Sequence, residues 1–329
     1  MKRDTSTRPG AYFRAILVVA TLLIGSTASL AQEFPNKSLA IIVPFQPGGA
    51  TDVLARLLSS SMASSLGQPM VVENKPGADT LIGARYIAAS APDGYHAGIF
   101  SSSGVSWPYF IREPGVDLIK DFSTAGTIVD GQLIIGSSSK SPFNSIGEMV
   151  AYARKNPGKV TWSLSNRTGE PVLYLYLLRE KAGIDLLEVP YKGSAPQAQA
   201  IIAGEVDIGQ FAPGRVVAMQ KAGQFKPFAI SGTSRDPQLP NVPTMKELGY
   251  EGFTNYDFGL FLPAKTQSSI ITRWNRALVA ALKDPAVMEG LAKFGFIPVG
   301  NSPAEHAAQL RTALEAWRNA AKIGNFRPE

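Results

Sequence analysis

The chain has 329 residues, 45% of them apolar and 18% charged, with a net charge of +6, two histidines and no cysteine. That length and balance suit a globular protein of two α/β units and exclude a disordered chain. Without cysteine there is no disulfide framework, zinc–thiolate site or thiol nucleophile.

Residues 1–31 read as a secretory signal. Lys2, Arg3, Arg8 and Arg14 give a basic start, Ala15 to Ile24 an apolar core, and Ser29-Leu30-Ala31 a small-x-small cleavage site before Gln32. The alternative is an uncleaved membrane anchor, but the apolar core falls short of the roughly 20 residues that a span requires. Cleavage removes those four bases and Asp4, so the net charge falls from +6 to +3. A charge so small and scattered argues against nucleic acid as a partner and is compatible with attracting small anions.

After the signal, short apolar runs alternate with amphipathic segments. Leu39 to Val43 reads as a strand, Thr51 to Leu66 as a helix with Val53, Leu54, Leu57, Leu58, Met62 and Leu66 on one face, and Met70 to Glu73 as a strand. Thr80 to Ser90 is a helix and His96 to Ser101 a strand, and this βαβαβ order predicts a parallel sheet with helices on both sides. A loop over Ser137 to Ser141 precedes a second set. Its helices are Ile146 to Lys155, Pro171 to Ala182, Pro196 to Ala203 and Gly214 to Ala222; its strands are Val160 to Leu164, Leu186 to Pro190, Val206 to Phe211 and Phe228 to Ser231. The Pro- and Gly-rich stretch Asp236 to Gly252 is an excursion. A strand over Phe258 to Leu262 and helices over Ser268 to Lys283, Pro285 to Lys293 and Pro303 to Lys322 then return to the first lobe. The expected organisation is residues 32–131 plus 255–329 as lobe 1 and 132–254 as lobe 2, with a ligand cleft between them.

Four strand-to-helix turns have unusual composition and fall where open α/β sheets bind ligands. Pro47-Gly48-Gly49-Ala50-Thr51-Asp52 leaves first-turn N–H groups open to an anion. Asn74-Lys75-Pro76-Gly77-Ala78-Asp79-Thr80 opens the next helix, Ser165-Asn166-Arg167-Thr168-Gly169 a third, and Tyr191-Lys192-Gly193-Ser194-Ala195-Pro196 a fourth with Ser194 as its N-cap. Plain helix capping explains any one of them, and four together point to a carboxylate held by amides and hydroxyls, with Arg167 or Lys192 adding a countercharge. Asp52 reads as a first-turn acid favouring the helix dipole or as a general base without a partner. Ser101 and Ser102 either offer hydroxyls to the cleft or form a turn. Phe45, Trp107, Tyr191, Phe211 and Tyr256 are either pocket walls or core. His96 and His306 read as structural or surface residues. There is no G-x-S-x-G elbow, phosphate-binding loop, dinucleotide fingerprint or H-E-x-x-H, so catalysis is disfavoured.

The segments FPNKSLAIIVPFQPGGATDVLARLL, VVENKPGA, APDGYHAGIFSSS, VPYKGSAPQAQAIIAGEVDIG and LPNVPTMKELGY together resemble the Bug/TctC family of extracytoplasmic solute receptors, over nearly the whole chain from Phe34. The resemblance implies a type II-like periplasmic binding protein of two lobes, each a mostly parallel sheet flanked by helices. It implies closure on a small organic carboxylate without a cofactor and delivery to the membrane permease subunits of a tripartite transporter. Family contacts map to Phe45 and Gly49 to Asp52, to Gly77-Ala78, and to Tyr191 to Ser194 with Asp207. Two departures stand out. Asp79 and Thr80 replace a Gly-Gly pair, so Asp79 must point away or the pocket differs, and Arg167 stands where members carry a glycine. Arg167 is expected to pair with a second acidic group of the ligand or to bond loop carbonyls. The rival reading is a sensing accessory that docks on a sensor kinase.

Overall fold

The computed structural model describes Met1 and residues 34–328 except Asn166, Arg167 and Lys192. The secretory-signal reading, Arg167 and Lys192 therefore lie outside the described residues. In the first lobe, β1 (Leu39–Val43), α1 (Ala50–Leu66), β2 (Met70–Asn74), α2 (Leu81–Ala88) and β3 (His96–Phe100) form the βαβαβ unit. Both β2 and β3 pair in parallel with β1. All five residues of β1 are buried, as a central strand of mainly β-branched and aliphatic residues requires. The α1 face of Leu54, Ala55, Leu58, Met62 and Leu66 packs over it, and the helix stops at Gly67, whose N–H bonds the Ala63 carbonyl at 2.9 Å.

A 3-10 turn (Ser102–Ser106) and a short α3 (Trp107–Phe110) follow β3 and lead to β4 (Phe122–Gly131), which crosses into β5 (Ile134–Ser138) of the second lobe. Ser137 and Ser138, read from the sequence as the start of a loop, are buried ends of β5. Ser137 fits a strand because its hydroxyl bonds the Asp207 carbonyl. Then come α4 (Ile146–Lys155), β6 (Thr161–Leu164), α5 (Glu170–Ala182), β7 (Leu187–Pro190), α6 (Ser194–Ala203), β8 (Ile208–Phe211), α7 (Pro213–Lys221) and β9 (Phe225–Ile230). The chain returns through β10 (Tyr256–Pro263), α8 (Ser268–Ala281), α9 (Pro285–Lys293), β11 (Phe296–Pro298) and α10 (Pro303–Ile323).

The first sheet has six strands in the order β11-β4-β10-β3-β1-β2, and the second has five in the order β7-β6-β8-β5-β9. The return strand β10 inserts antiparallel between β3 and β4, and β5 runs antiparallel to β8 and β9. Each sheet thus joins a parallel unit to antiparallel strands, so neither is as parallel as the resemblance implies, because strands entering from the other lobe and the C-terminal segment pair antiparallel. The two crossings are bonded to each other. Leu133 N–H donates to the Ser231 hydroxyl at 2.9 Å, Ser231 N–H donates to the Leu133 carbonyl at 2.9 Å, and the Gln132 amide reaches the Ser234 carbonyl at 2.7 Å. A third bridge is aromatic. Phe326, after α10, sits 4.5 Å from Tyr176 of α5 and 4.7 Å from Phe110 of α3, ring centre to ring centre.

Candidate functional site

Loops at the carboxyl ends of parallel strands converge between the two sheets, as open α/β sheets place their ligands. A cavity of about 500 Å³ is enclosed by Pro44, Phe45 and Gln46 after β1, Pro76, Gly77, Asp79 and Thr80 after β2, and Phe100, Ser101, Ser103, Gly104 and Trp107 after β3. Thr168, Gly169 and Glu170 close it from the second lobe, and Phe258 of β10 lies at its back. Gly169 holds the N-cap position of α5 with φ 86°, a left-handed value that suits glycine.

Of the residues singled out from the sequence as ligand contacts or pocket walls, Phe45, Gly77, Ser101, Trp107, Thr168 and Gly169 meet at this cavity. The other members of the set take different places. Gly49 and Ala50 are exposed beyond Gln46, with Gly49 the N-cap of α1 and no side-chain cap on that helix end. Thr51 and Asp52 are buried beneath the loop. Asp52 accepts hydrogen bonds from Gly48 N–H at 2.9 Å, Arg56 Nε at 3.0 Å and Asn74 Nδ2 at 2.9 Å. The Arg56 bond leads in holding its carboxyl down at about 2. With both oxygens engaged, Asp52 fixes the shape of the glycine loop.

Ala78 lies between two cavity residues, and Ala78, Asp79 and Thr80 have φ of 47°, 48° and 78°. Asp79 lines the cavity, so the departure from the Gly-Gly pattern reaches the pocket. Three successive residues hold a backbone conformation that costs side-chain-bearing residues roughly 1–2 kcal/mol each.

Ser102 sits one layer behind the wall. Its N–H and hydroxyl donate to Asp257 at 3.0 and 2.5 Å, and its oxygen lies 3.1 Å from His306 Nε2. The other His306 nitrogen pairs with the Thr124 hydroxyl. Because the Ser102 proton goes to Asp257, His306 donates from Nε2, and a neutral ring then accepts at Nδ1. Burial pushes His306 down to about 4, in keeping with that state. The order Asp257–Ser102–His306–Thr124 puts serine between acid and base, so histidine does not take the serine proton as it does in a nucleophile triad.

The fourth turn is tied to the third. Tyr191 N–H donates to the Leu164 carbonyl at 2.7 Å and Gly193 N–H to the Ser165 carbonyl at 2.9 Å. Gly193 is the N-cap of α6, whereas Ser194 is its exposed first residue and makes no cap bond. The extended ψ of 170° and φ of 105° at Gly193 let the chain turn one residue earlier than the sequence suggests. Asp207 is not brought to the cavity. Its carboxylate accepts from Thr161 N–H and hydroxyl at 2.8 and 2.7 Å, at the end of β6 away from Thr168. Of the proposed aromatic walls, Phe45 and Trp107 line the cavity, Phe211 and Tyr191 pack in the second lobe's core, and Tyr256 packs against Gly131 at the crossing.

Sequence reasoning missed Glu170 and Asp257. An acid before Pro171 at the start of a helix reads as an ordinary dipole partner. In the fold Glu170 stands on the cavity wall. Burial pushes its carboxyl up to about 8, with the Asp257 charge adding, while its own N–H and the Ser101 hydroxyl act the other way. Burial likewise raises Asp257 to about 6 against the opposing Ser102 bonds. No group of His, Asp and Glu among the described residues is arranged to hold a metal ion.

The family model described as Tripartite tricarboxylate transporter family receptor matches residues 54–322. The chain belongs to this receptor family. Among solved structures of similar fold, the periplasmic binding protein BugD is 29% identical with a TM-score of 0.73, covering 90% of this chain and 100% of that one. Rpa4515 of R. palustris, solved with adipate, is 27% identical with a TM-score of 0.76, covering 90% and 100%. MatC of Rhodopseudomonas palustris, solved with bound malate, is 27% identical with a TM-score of 0.72, covering 87% and 99%. The receptor family thus accounts for the two-lobe α/β architecture.

Proposed function

We propose that this receptor captures a small organic carboxylate in the cavity between its lobes and delivers it to the membrane subunits of a tripartite transporter. The observation that carries the reading is a cavity of about 500 Å³ that takes hydroxyls and backbone from both lobes and aromatic rings from the first, a size within the usual ligand-pocket range. Thr80 and Ser101 come from one lobe and Thr168 from the other, so a bound acid would tie the lobes together. Two relatives that hold malate and adipate support a short carboxylate as the cargo. The N-terminal signal pattern supports export to the periplasm, and no described helix is long and apolar enough to cross a membrane. Receptor relatives support binding rather than catalysis, and nothing observed favours a sensor-kinase partner.

Arg167, next to Thr168 in sequence, is the proposed charge partner of the acid. Trp107 supplies the test, because it lines the cavity. Titration with malate and adipate should change tryptophan emission saturably, and Trp107→Phe should remove most of that change. Arg167→Ala should weaken binding at least tenfold. Unchanged affinity in Arg167→Ala for every acid that binds would remove its role, and no saturable binding of any acid would remove the carboxylate reading.

A further inference from the structure

Among the described residues the second lobe presents one ionisable side chain to the cavity, Glu170 at the start of α5. It is half-buried, and its carboxyl meets the first lobe at Ser101, the residue that follows β3. The hydrogen bonds around Ser101 set the direction of that contact. Ser103 N–H and the Ser103 hydroxyl both donate to the Ser101 oxygen, at 3.2 and 2.9 Å, so the single Ser101 proton is left to point at the Glu170 carboxyl. The N–H of Glu170 reaches the same carboxyl. With two donors already turned on it, what a neutral Glu170 has left to offer the cavity is its own O–H.

The charges around it favour that neutral form. Asp257 faces Glu170 from β10 and is backed by Asp130 of β4, Tyr174 of α5 and Tyr256 of β10 lie within electrostatic reach, and Asp79 shares the cavity. Burial raises both tyrosines, Tyr256 to about 12, so neither carries charge near neutrality, whereas Asp257 titrates at about 6 and is ionised above it. These described neighbours bring only negative charge. Burial and like charge together keep a proton on Glu170 to a pH of about 8.

An ionised Glu170 would repel an anion in this cavity, while a neutral one is a donor, the use other proteins make of a buried acid kept protonated beside a developing oxyanion. We propose that Glu170 is the residue by which the second lobe recognises the ligand carboxylate, donating its O–H to a carboxylate oxygen, so that the site takes the anion together with a proton. This assignment rests on the carboxylate-receptor reading and adds to it the residue and the protonation state that let an acid-bearing wall accept an anion. An O–H···O⁻ bond of this kind is short and strong. The negative charge of the ligand raises Glu170 further, so above the ligand-free value each complex formed gathers a proton from solvent and affinity falls by up to about tenfold per pH unit. Below that value affinity is level.

Titration from pH 7 to 9 with the tightest binder among succinate, malate, adipate and benzoate tests this, since all four are ionised across that range. Its affinity should fall about tenfold between pH 7 and 9, as one group titrating at about 8 requires. Calorimetry at pH 8.5 in buffers of different ionisation enthalpy should read proton uptake. Glu170→Ala, checked for folding by its thermal melt, should bind at least tenfold more weakly at pH 7 and lose the pH dependence. Glu170→Gln keeps a neutral donor, so it should restore most of the affinity lost in Glu170→Ala and show no decline from pH 7 to 9. Affinity that stays level over that range without proton uptake, or a decline that persists in Glu170→Gln, would overturn the assignment while leaving a carboxylate receptor. If no acid binds, the carboxylate reading falls and this assignment with it.

Discussion

Single carboxyl groups carry opposite duties in this molecule, and pH separates them. Asp52 has a depressed value of about 2 in the fold against an ordinary 3.8, so its stabilising effect is complete above 3.8 and is lost as pH falls through 2. Asp52→Asn should cost about 1.5–3 kcal/mol in urea unfolding at pH 7, the usual worth of hydrogen bonds to a buried charge. That difference should shrink toward pH 2. Glu170 behaves in reverse. Its value is raised from 4.5 to about 8, so the folded state binds a proton that the unfolded state gives up. The stability that proton confers is complete below 4.5 and is lost as pH rises to 8. Without added ligand the protein should therefore lose melting temperature between pH 6.5 and 8, and Glu170→Gln should flatten that slope. His306 contributes nothing in that window. Its value falls from 6.5 to about 4, so its effect lies wholly on the acid side, where stability declines as pH drops from 6.5 to 4.

At the scale of elements, close approach decides what each strand can carry. A Cβ on Gly259 of β10 would run into the His306 ring. Gly259→Ala should destabilise the protein by about 1–3 kcal/mol through overpacking, measured by chemical denaturation, and should loosen the Asp257–Ser102–His306 chain behind the cavity. The elements most legible in the sequence were those with local signals. Leu39–Val43 is a continuous β-branched and aliphatic run, and Ile146–Lys155 starts at Ser145, whose hydroxyl takes the Glu148 N–H. Strand β4 was not legible, because Ser123, Thr124, Gly126 and Thr127 break its apolar pattern. Those positions are tolerated because partners arrive from far away in the chain, as when Asn301 accepts from Thr127 N–H at 2.7 Å and Gln309 from its hydroxyl at 2.9 Å. The same reason hid the layer behind the cavity wall. Phe45, Ser101, Thr168 and Gly169 follow strands in sequence and were visible, whereas Asp257 joins Ser102 only because β10 comes back across the first sheet.

For the molecule as a whole, the two bonded crossings and the Phe326 bridge join the lobes, with the cavity on their facing loops. A ligand that touches Thr80 and Thr168 together makes some of its contacts only when the lobes are closed, so it favours the closed form by that difference in binding. Small-angle scattering should accordingly give a smaller radius of gyration with saturating ligand than without. The most direct test of the receptor account is a thermal-shift screen of residues 32–329 against short aliphatic and aromatic acids, amino acids, betaines and neutral sugars. A ligand at 100 times its dissociation constant adds about 2.7 kcal/mol to the folded state, a clear rise in melting temperature. The account predicts a rise confined to small molecules that bear a carboxylate. A rise with a neutral or purely cationic compound, and none with any carboxylate, would contradict it.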